Sequence, residues 1–271
     1  MKKIHIPAQI TTMKPHAAIN NQEKSFDCSL CHDRGLIIRD GLAYRCRCML
    51  QKSWQKLLRS ANLAPQLARH TLDGFDLKYY SRELQDELTG TSYYESARRC
   101  LEAARRYVNT YTHKSHGRGL LIFGPVGSGK TFLAAAIANA LIAANREVLF
   151  TVVPDLLDAI RATYDRRPQD NSQTELELID IARKAPILIL DDLGAHNYTE
   201  WTCNKIYSLI NYRLINELPT VVTTNLDLKT LEDYLGERTT SRLVELCTSY
   251  HLPVEEDIRC IISREKALKN K

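Results

Sequence analysis

The chain has 271 residues, which is enough for one full α/β domain together with a smaller module. Its hydrophobic content of 44% and charged content of 25% are typical of a globular protein that folds in water. No apolar run reaches the roughly 18 residues that a membrane span requires, and the N-terminus lacks the apolar segment of a secretory signal, so we expect a cytoplasmic protein with no membrane partner.

The net charge of +5 is unevenly distributed along the chain. Residues 1–70 hold 12 Lys/Arg and 4 Asp/Glu, whereas the remainder of the chain holds 25 and 28. A basic front part beside a nearly neutral remainder is typical of a segment that contacts nucleic acid or an acidic protein surface. A basic domain with no such partner is the alternative.

A cluster of cysteines follows an aperiodic polar leader over residues 1–24. Four of the eight cysteines lie within 21 residues, at Cys28, Cys31, Cys46 and Cys48. In a cytosolic protein such clustering indicates a metal site rather than disulfides, and two close pairs can close a tetrahedron around Zn²⁺. Short strands over 36–38 and 42–44, joined by a turn at Asp40-Gly41, would complete a small zinc ribbon.

The predicted zinc site is structural, because four thiolates leave no open coordination position. A module this small cannot fold on its apolar core alone, so the metal would supply much of its stability. Three alternatives stay open: His32 takes the place of Cys48, the four thiolates hold an iron–sulfur cluster, or the cysteines are buried and bind no metal.

Helical spacing of apolar residues predicts a basic amphipathic helix over 49–60 and a second helix over 92–111. The stretch between them contains Pro65 and Gly74 and reads as a connector. An apolar strand over 119–123 then leads into residues 124–131, which read Gly-Pro-Val-Gly-Ser-Gly-Lys-Thr. This is a complete phosphate loop between a strand and an Ala-rich helix over 130–144.

The spacing of this loop matches the shape of a triphosphate. Its glycines let successive backbone N–H groups face the phosphate oxygens, and the helix that follows adds the positive end of its dipole. Lys130 reaches the β- and γ-phosphates and Thr131 is a Mg²⁺ ligand. We therefore expect ATP to be bound by Gly124, Pro125, Val126, Gly127, Ser128, Gly129, Lys130, Thr131 and Phe132.

Strands and helices alternate beyond the loop, which predicts a parallel sheet with helices on both faces. The sequence pattern places strands over 147–153, 186–190, 220–224 and 258–263. It places helices over 154–164, 174–184, 199–216, 228–235 and 239–246, with a charged loop over 165–173.

The strand over 186–190 ends in Asp191 and Asp192, and ligands of parallel sheets bind at the carboxyl ends of strands. We expect Asp191 to hold Mg²⁺ and Asp192 to orient or deprotonate the attacking water. Asn225, at the end of the next strand, would contact the γ-phosphate or that water. Arg238 and Arg242 lie four residues apart on one helix face. This face is either simply solvated, or one of the arginines reaches the γ-phosphate of a neighbouring subunit as an arginine finger.

These motifs, in this order and spacing, resemble those of AAA+ ATPases, and specifically those of DnaC/DnaI-type replicative helicase loaders and the related IstB-like transposition helpers. The resemblance covers about residues 62–265. The segment Thr71-Leu-Asp-Gly-Phe75 is similar to the Thr-Phe-x-x-Phe segment of these families, with Leu72 at the first aromatic position.

The resemblance implies a domain plan: a zinc-binding, helicase-interacting module over 1–60, a linker over 61–91, and an AAA+ ATPase domain over 92–271. The ATPase domain would lack a helical lid, because the chain ends soon after its last predicted strand. DnaI-like loaders resemble this chain in having an N-terminal zinc module, which IstB-like helpers usually lack.

The resemblance also implies residue roles. Lys130 and Thr131 belong to Walker A, Asp191 and Asp192 to Walker B, and Asn225 is sensor 1. Arg242 is the finger supported by Arg238, and Arg259 is the candidate for sensor 2. Asp192 stands where many AAA+ proteins carry Glu, and its shorter side chain predicts slow hydrolysis.

Three functions are compatible with the sequence. The first is a loader that assembles as a homo-oligomer and places a hexameric replicative helicase on single-stranded DNA. Arg161, Arg166 and Arg167, with Tyr164, would line the strand or form a solvated helix end and loop. The second is a transposition helper that binds duplex DNA. The third is a zinc-containing interaction protein that senses nucleotide with little turnover.

Overall fold

The computed structural model describes residues 31, 34, 36–39, 42–45, 67–163, 175–195 and 198–269. The chain divides into two compact units, Met1–Ser60 and Ala61–Lys271. In the first unit, β1 (Leu36–Arg39) and β2 (Leu42–Arg45) form an antiparallel hairpin with Leu36 opposite Arg45. The two strands predicted for the ribbon are therefore present. The leader, the helix over 49–60, and Cys28, Cys46 and Cys48 lie outside the described residues.

The second unit alternates helices and strands. In chain order they are α1 (Tyr93–His113), β3 (Gly119–Phe123), α2 (Lys130–Ala143), β4 (Val148–Val152), α3 (Val153–Arg161), α4 (Glu175–Lys184), β5 (Ile187–Leu193), α5 (Glu200–Ile215), β6 (Thr220–Thr224), α6 (Leu228–Leu235), α7 (Glu237–Leu246), β7 (Cys247–His251) and α8 (Ile258–Lys269). None of the helices in the described ranges is long and apolar enough to cross a membrane.

Five strands form one parallel sheet in the order β4-β5-β6-β3-β7. The predicted α/β fold with a parallel sheet is therefore confirmed. Every residue of β3 and β6 is buried, as expected for inner strands covered on both faces. Because the strands are parallel, the carboxyl ends of β3, β5 and β6 meet at one edge of the sheet, where the candidate site lies.

The helix after the phosphate loop packs tightly on this sheet. Its small side chains let α2 approach closely, and the residues Leu133, Ala134, Ala135, Ala136, Ile137, Ala138 and Leu141 are all fully buried. Other helices begin where the sequence supplies a capping side chain: Ser92 accepts a hydrogen bond from Glu95 N, and Asp227 accepts one from Thr230 N. Local capping and apolar periodicity thus account for most of the helix boundaries.

The prediction of a last strand over 258–263 is wrong. The last strand is β7, and residues 258–269 form the helix α8. Ile258, Ile261 and Ile262 follow helical spacing, and Asp257 supports the helix start by accepting a hydrogen bond from Arg259 N at 2.9 Å. The β-branched isoleucines suggested a strand, but spacing and cap outweigh that preference. The expectation that no helical lid is present rested on this strand and loses that support.

The stretch 61–91, predicted to be a linker, falls within the second unit, Ala61–Lys271. Phe75 and Tyr80 are buried in its core, and their rings lie 5.5 Å apart. The Tyr80 hydroxyl donates a 2.7 Å hydrogen bond to Ser128 O. Phe75 and Tyr80 are therefore packed against the phosphate loop.

Candidate nucleotide-binding site

The phosphate loop connects β3 to α2 in a conformation that requires glycine. Gly129 has φ +93 and is the N-cap residue of α2. A Cβ at Gly124 would lie 2.2 Å from Leu252 O, so no side chain fits there. The backbone is thus shaped as a cradle whose amide groups and helix dipole favour an anion.

Lys130 is directed into this cradle. Its ammonium donates hydrogen bonds to Gly124 O at 2.9 Å and to Pro125 O at 2.7 Å, and it also contacts Ser128 Oγ at 3.4 Å. Lys130 as a whole residue is 5% exposed. Burial lowers the pKa of Lys130 to about 8, and the acids Asp192 and Asp191 oppose that change. A phosphate oxygen would favour the charged ammonium at this position.

A hydroxyl and a carboxylate meet beside the loop. Thr131 Oγ1 lies 3.1 Å and 3.0 Å from the two carboxylate oxygens of Asp191, which is 4% exposed. Burial raises the pKa of Asp191, and hydrogen bonds from Thr223 and Thr131 oppose that rise. Hard oxygen ligands of this kind suit Mg²⁺, which is held by one or two protein groups and by substrate phosphates. The pair therefore fits the predicted magnesium site.

The second acid is paired with the end of β6. Asn225 Nδ2 donates a 2.7 Å hydrogen bond to Asp192 Oδ1. Asp192 is more exposed than Asp191 and has φ +60, which is unusual for a residue other than glycine. The structure thus brings together Lys130, Thr131, Asp191, Asp192 and Asn225 at one edge of the sheet.

The two arginines of α7 do not join this cluster. Arg238 is exposed, and Arg242 contacts Glu245 at 3.4 Å with 42% of its side chain exposed. Neither has a contact with the phosphate loop or the two acids among the residues that the structure describes. Their assignment as finger residues stays a prediction, and their exposure leaves them accessible to a second subunit.

The start of α8 contacts the phosphate loop. Ile258 N donates a 3.1 Å hydrogen bond to Gly127 O, and Arg259 pairs with Asp257 at 2.7 Å. This places the sensor 2 candidate Arg259 near the loop, with 71% of its side chain exposed.

Phe132, predicted to help bind the nucleotide, stacks its ring on His70 with the ring centres 4.1 Å apart, on the side of α2 that meets residues 67–75.

Part of the predicted DNA path is described. Arg161 and Lys205 place their cationic groups 5.5 Å and 5.6 Å from the ring centre of Trp201. Tyr164, Arg166 and Arg167 lie outside the described residues.

Of the four predicted zinc ligands, Cys31 is described, and it is buried. No group of three or more His, Cys, Asp or Glu side chains within the described ranges is arranged to hold a metal, but three of the four predicted ligands fall outside those ranges.

Two residues at the site, Thr223 and Tyr80, were not predicted from the sequence. Thr223 Oγ1 lies 2.6 Å from Asp191 Oδ1 and 2.9 Å from Asp192 N. The sequence carried little signal for Thr223, because β6 reads Thr-Val-Val-Thr-Thr and Thr223 is one of three buried threonines in it. Tyr80 gave no comparable signal, because its contact with Ser128 joins residues 48 positions apart.

The phosphate loop follows β3, and the acid pair lies near the end of β5, with β6 between these two strands in the parallel sheet. This combination defines a P-loop nucleotide-binding protein. A family model described as IstB-like ATP binding protein matches residues 102–249. This match covers more than half of the chain, and the chain belongs to that family. The structural resemblance to AAA+ proteins is confirmed at the level of fold.

Named relatives extend the comparison. The chain is 27% identical over 176 residues to the replicative helicase loader DnaI of Bacillus subtilis (strain 168), covering 65% of this chain and 50% of DnaI. It is 25% identical over 239 residues to the phage-like element PBSX protein XkdC of the same organism, covering 83% and 81%. The crystal structure of the DnaC helicase loader superposes with a TM-score of 0.54 at 25% identity, covering 71% of this chain and 100% of that chain. The chain thus spans half the length of DnaI, and its resemblance to DnaC/DnaI-type loaders is confirmed.

Proposed function

We propose that this protein is an ATPase that loads a hexameric replicative helicase onto single-stranded DNA. The observation that carries the proposal is the joint placement of Lys130, the Thr131–Asp191 pair and the Asp192–Asn225 pair. This cluster belongs to a chain that is similar to a replicative helicase loader over 65% of its length. Site and relationship together favour a nucleotide-driven loader.

The site residues divide the work of phosphoryl transfer. Lys130 would neutralise the β- and γ-phosphates, while the loop amides hold them in place. Thr131 and Asp191 would hold Mg²⁺, which when bound neutralises the charge that develops on the phosphate oxygens. Asp192, held by Asn225, would orient the attacking water and accept its proton. Because Asp is one methylene shorter than Glu, we expect slow turnover that a partner or DNA stimulates.

Assembly would complete the site. Arg242 and Arg238 lie on α7 without a contact to their own phosphate loop in the described structure, and both side chains are at least partly exposed. A subunit that offers these arginines to its neighbour's γ-phosphate would raise turnover by about 10³–10⁵. We therefore propose that the protein acts as a homo-oligomer on DNA, with Arg242 as the finger.

The first unit would supply the grip on the helicase. We propose that residues 1–60 dock on the helicase and that Cys28, Cys31, Cys46 and Cys48 hold one zinc ion. The support is the β1–β2 hairpin, which separates the two cysteine pairs in the chain, and the burial of Cys31. A metal would compensate for the small core of this module.

The proposal is tested by loading helicase onto closed circular single-stranded DNA. With the full chain and ATP, helicase is expected to unwind an oligonucleotide annealed to the circle. Lys130→Ala is expected to lose this activity, while Lys114→Ala, a change at an exposed lysine, keeps it. Removal of residues 1–60 is expected to abolish helicase capture while ATP binding persists. A full chain that binds ATP but neither captures nor loads helicase would exclude this function.

A second candidate is an IstB-like transposition helper, since the matching family model is described as IstB-like ATP binding protein. For this candidate we propose binding to duplex DNA. The nucleotide site cannot separate the two, because both would use the same core. Affinity for single-stranded against duplex DNA, measured with ATP at one salt concentration, separates them. A preference for duplex without helicase capture would support the transposition helper, and intact ATP binding without turnover would support a nucleotide sensor.

A further inference from the structure

The two acids of the candidate site stand on an irregularity of the sheet. The pairing of β5 with β6 runs in register up to Leu190 opposite Val222 and resumes at Leu193 opposite Thr224. Two residues of β5, Asp191 and Asp192, therefore lie opposite a single residue of β6, Thr223. This is a β-bulge, a feature that often redirects side chains next to active sites.

The bulge explains how adjacent residues can serve one site. In a regular strand, successive side chains point to opposite faces of the sheet. Here Asp191 turns its carboxylate to Thr131 on the phosphate loop, and Asp192 turns its own to Asn225 at the end of β6. The change of direction occurs at Asp192, whose φ of +60 departs from strand geometry.

One hydroxyl binds both residues of the bulge. Thr223 Oγ1 donates to Asp191 Oδ1 at 2.6 Å and accepts from Asp192 N at 2.9 Å. A threonine hydroxyl has one proton and two lone pairs, so both bonds form at once. The second bond satisfies a backbone N–H that the bulge removes from the regular ladder. Thr223 is 1% exposed, so water does not readily replace either bond.

We infer that Thr223 is a positioning residue that holds the magnesium-binding carboxylate of Asp191 and the water-orienting Asp192 in their relative places. The inference rests on the proposed ATPase function and deepens it. Without the hydroxyl, Asp191 loses a bond that aims its carboxylate at Thr131. The Asp192 N–H also loses its partner, so the left-handed conformation of that residue is held by fewer contacts.

The neighbouring threonine provides a matched control. Thr224 is equally buried and lies in the same strand, but within the described ranges its hydroxyl accepts from Leu226 N, at 3.1 Å, and has no bond to either acid. Thr223→Val and Thr224→Val thus make the same isosteric change one residue apart, and only the first touches the acids. Thr223→Ser restores the hydroxyl and serves as the rescue variant.

The experiment compares Mg²⁺-free ATP binding, the Mg²⁺ dependence of ATP binding, and ATP turnover in the full chain. Thr223→Val is expected to bind Mg²⁺-free ATP within about twofold of wild type, because Lys130 and the loop are intact. The Mg²⁺ concentration that gives half of the maximal effect on ATP binding is expected to rise about 10–100-fold, as for other groups that orient metal ligands. The kcat of ATP hydrolysis is expected to fall about 10–100-fold. For Thr224→Val and Thr223→Ser, both the Mg²⁺ requirement of ATP binding and kcat are expected to stay within about threefold of wild type.

Unchanged Mg²⁺ dependence and kcat in folded Thr223→Val would overturn the inference, as would equal impairment of Thr223→Ser. If the valine variant does not fold, Thr223→Ala removes the same hydroxyl with less bulk and is judged by the same measurements. Failure of the proposed function has a different signature: wild type hydrolyses no ATP. The Mg²⁺ dependence of ATP binding still decides the role of Thr223 in that case.

Discussion

Arg213 is a fully buried arginine whose replacement should destabilise the second unit. It lies on α5, is 0% exposed, and has no carboxylate partner among the described residues. Its guanidinium instead donates to backbone carbonyls of Ala182, Arg183, Ala185 and Pro219 and to the hydroxyl of Thr220, at distances of 2.7–3.1 Å. Burial lowers the pKa of Arg213 to about 10, so it stays charged at neutral pH.

The arrangement satisfies the carboxyl end of α4, where the last carbonyls of any helix lack an intrahelical donor. Ala182 O is one of them, and Pro186, four residues later, has no N–H to offer. Arg213 supplies the missing donor at the carboxyl end of α4, where the helix dipole also favours a cation. Arg213 thereby connects α5 to α4 and to the segment before β6. These bonds fix the positions of the amino ends of β5 and β6, the strands that carry Asp191 and Thr223.

The magnitude follows from the groups left behind. Arg213→Met would leave the carbonyls of Ala182, Arg183 and Ala185 without this donor, whereas Pro219 O keeps a hydrogen bond from Leu188 N at 3.1 Å. An unsatisfied buried polar group costs about 1–3 kcal/mol. Allowing for partial relaxation, we expect a loss of about 3–5 kcal/mol, against a total stability of about 5–15 kcal/mol for a typical domain.

The assay is urea and thermal unfolding of the full chain. A loss of this size should lower the melting temperature by at least about 6 °C for a unit of this length. Arg238→Met removes an exposed arginine and is expected to change stability by less than about 0.5 kcal/mol. An Arg213→Met protein whose unfolding free energy stays within about 1 kcal/mol of wild type would refute the reasoning.

Three further predictions concern the site and the first unit. Because burial lowers the pKa of Lys130 to about 8, its ammonium loses its proton above that pH, and Mg²⁺-free ATP affinity should fall up to about 30-fold between pH 7 and 9.5. A Lys130→Arg variant should show no such fall. A wild-type ATP affinity that does not change between pH 7 and 9.5 would contradict the assignment of Lys130 as a phosphate ligand. Gly124→Ala should lower the melting temperature more than Gly90→Ala, because the first Cβ would meet backbone at 2.2 Å and the second meets nothing within 4 Å; equal effects would argue against the close approach. Metal analysis should find about one zinc per chain, lost in Cys28→Ser but kept in Cys260→Ser, which changes an exposed thiol; a metal-free wild type would remove the zinc proposal.

Much of the fold could be predicted because its signals are local. The strands over 119–123 and 220–224 and the helix over 228–235 have the predicted bounds. In each case apolar runs, helical spacing or a capping side chain acts within a few residues. The failure at 258–263 has the same origin, because three isoleucines satisfy the composition of a strand while their spacing and the Asp257 cap produce a helix.

The candidate site was only partly predictable. The phosphate loop, Asp191 and Asp192 are contiguous motifs, and each is found at the sheet edge where parallel strands end. The sequence could not assign Thr223, since its role depends on which residue of β6 stands opposite the bulge. Nor could it pair Arg213 with the end of α4, since those partners lie about 30 residues away.

The sequence by itself determined the nucleotide chemistry of this protein. A loop of fixed length with glycine where the backbone curls, followed by lysine and threonine, specifies a phosphate cradle through short-range sterics alone. Only the tertiary structure decided how the two acids are held and how the second unit is tied together. The bulge opposite Thr223 and the carbonyl cage around Arg213 arise where distant segments pack, and buried polar groups must find their partners there rather than in water.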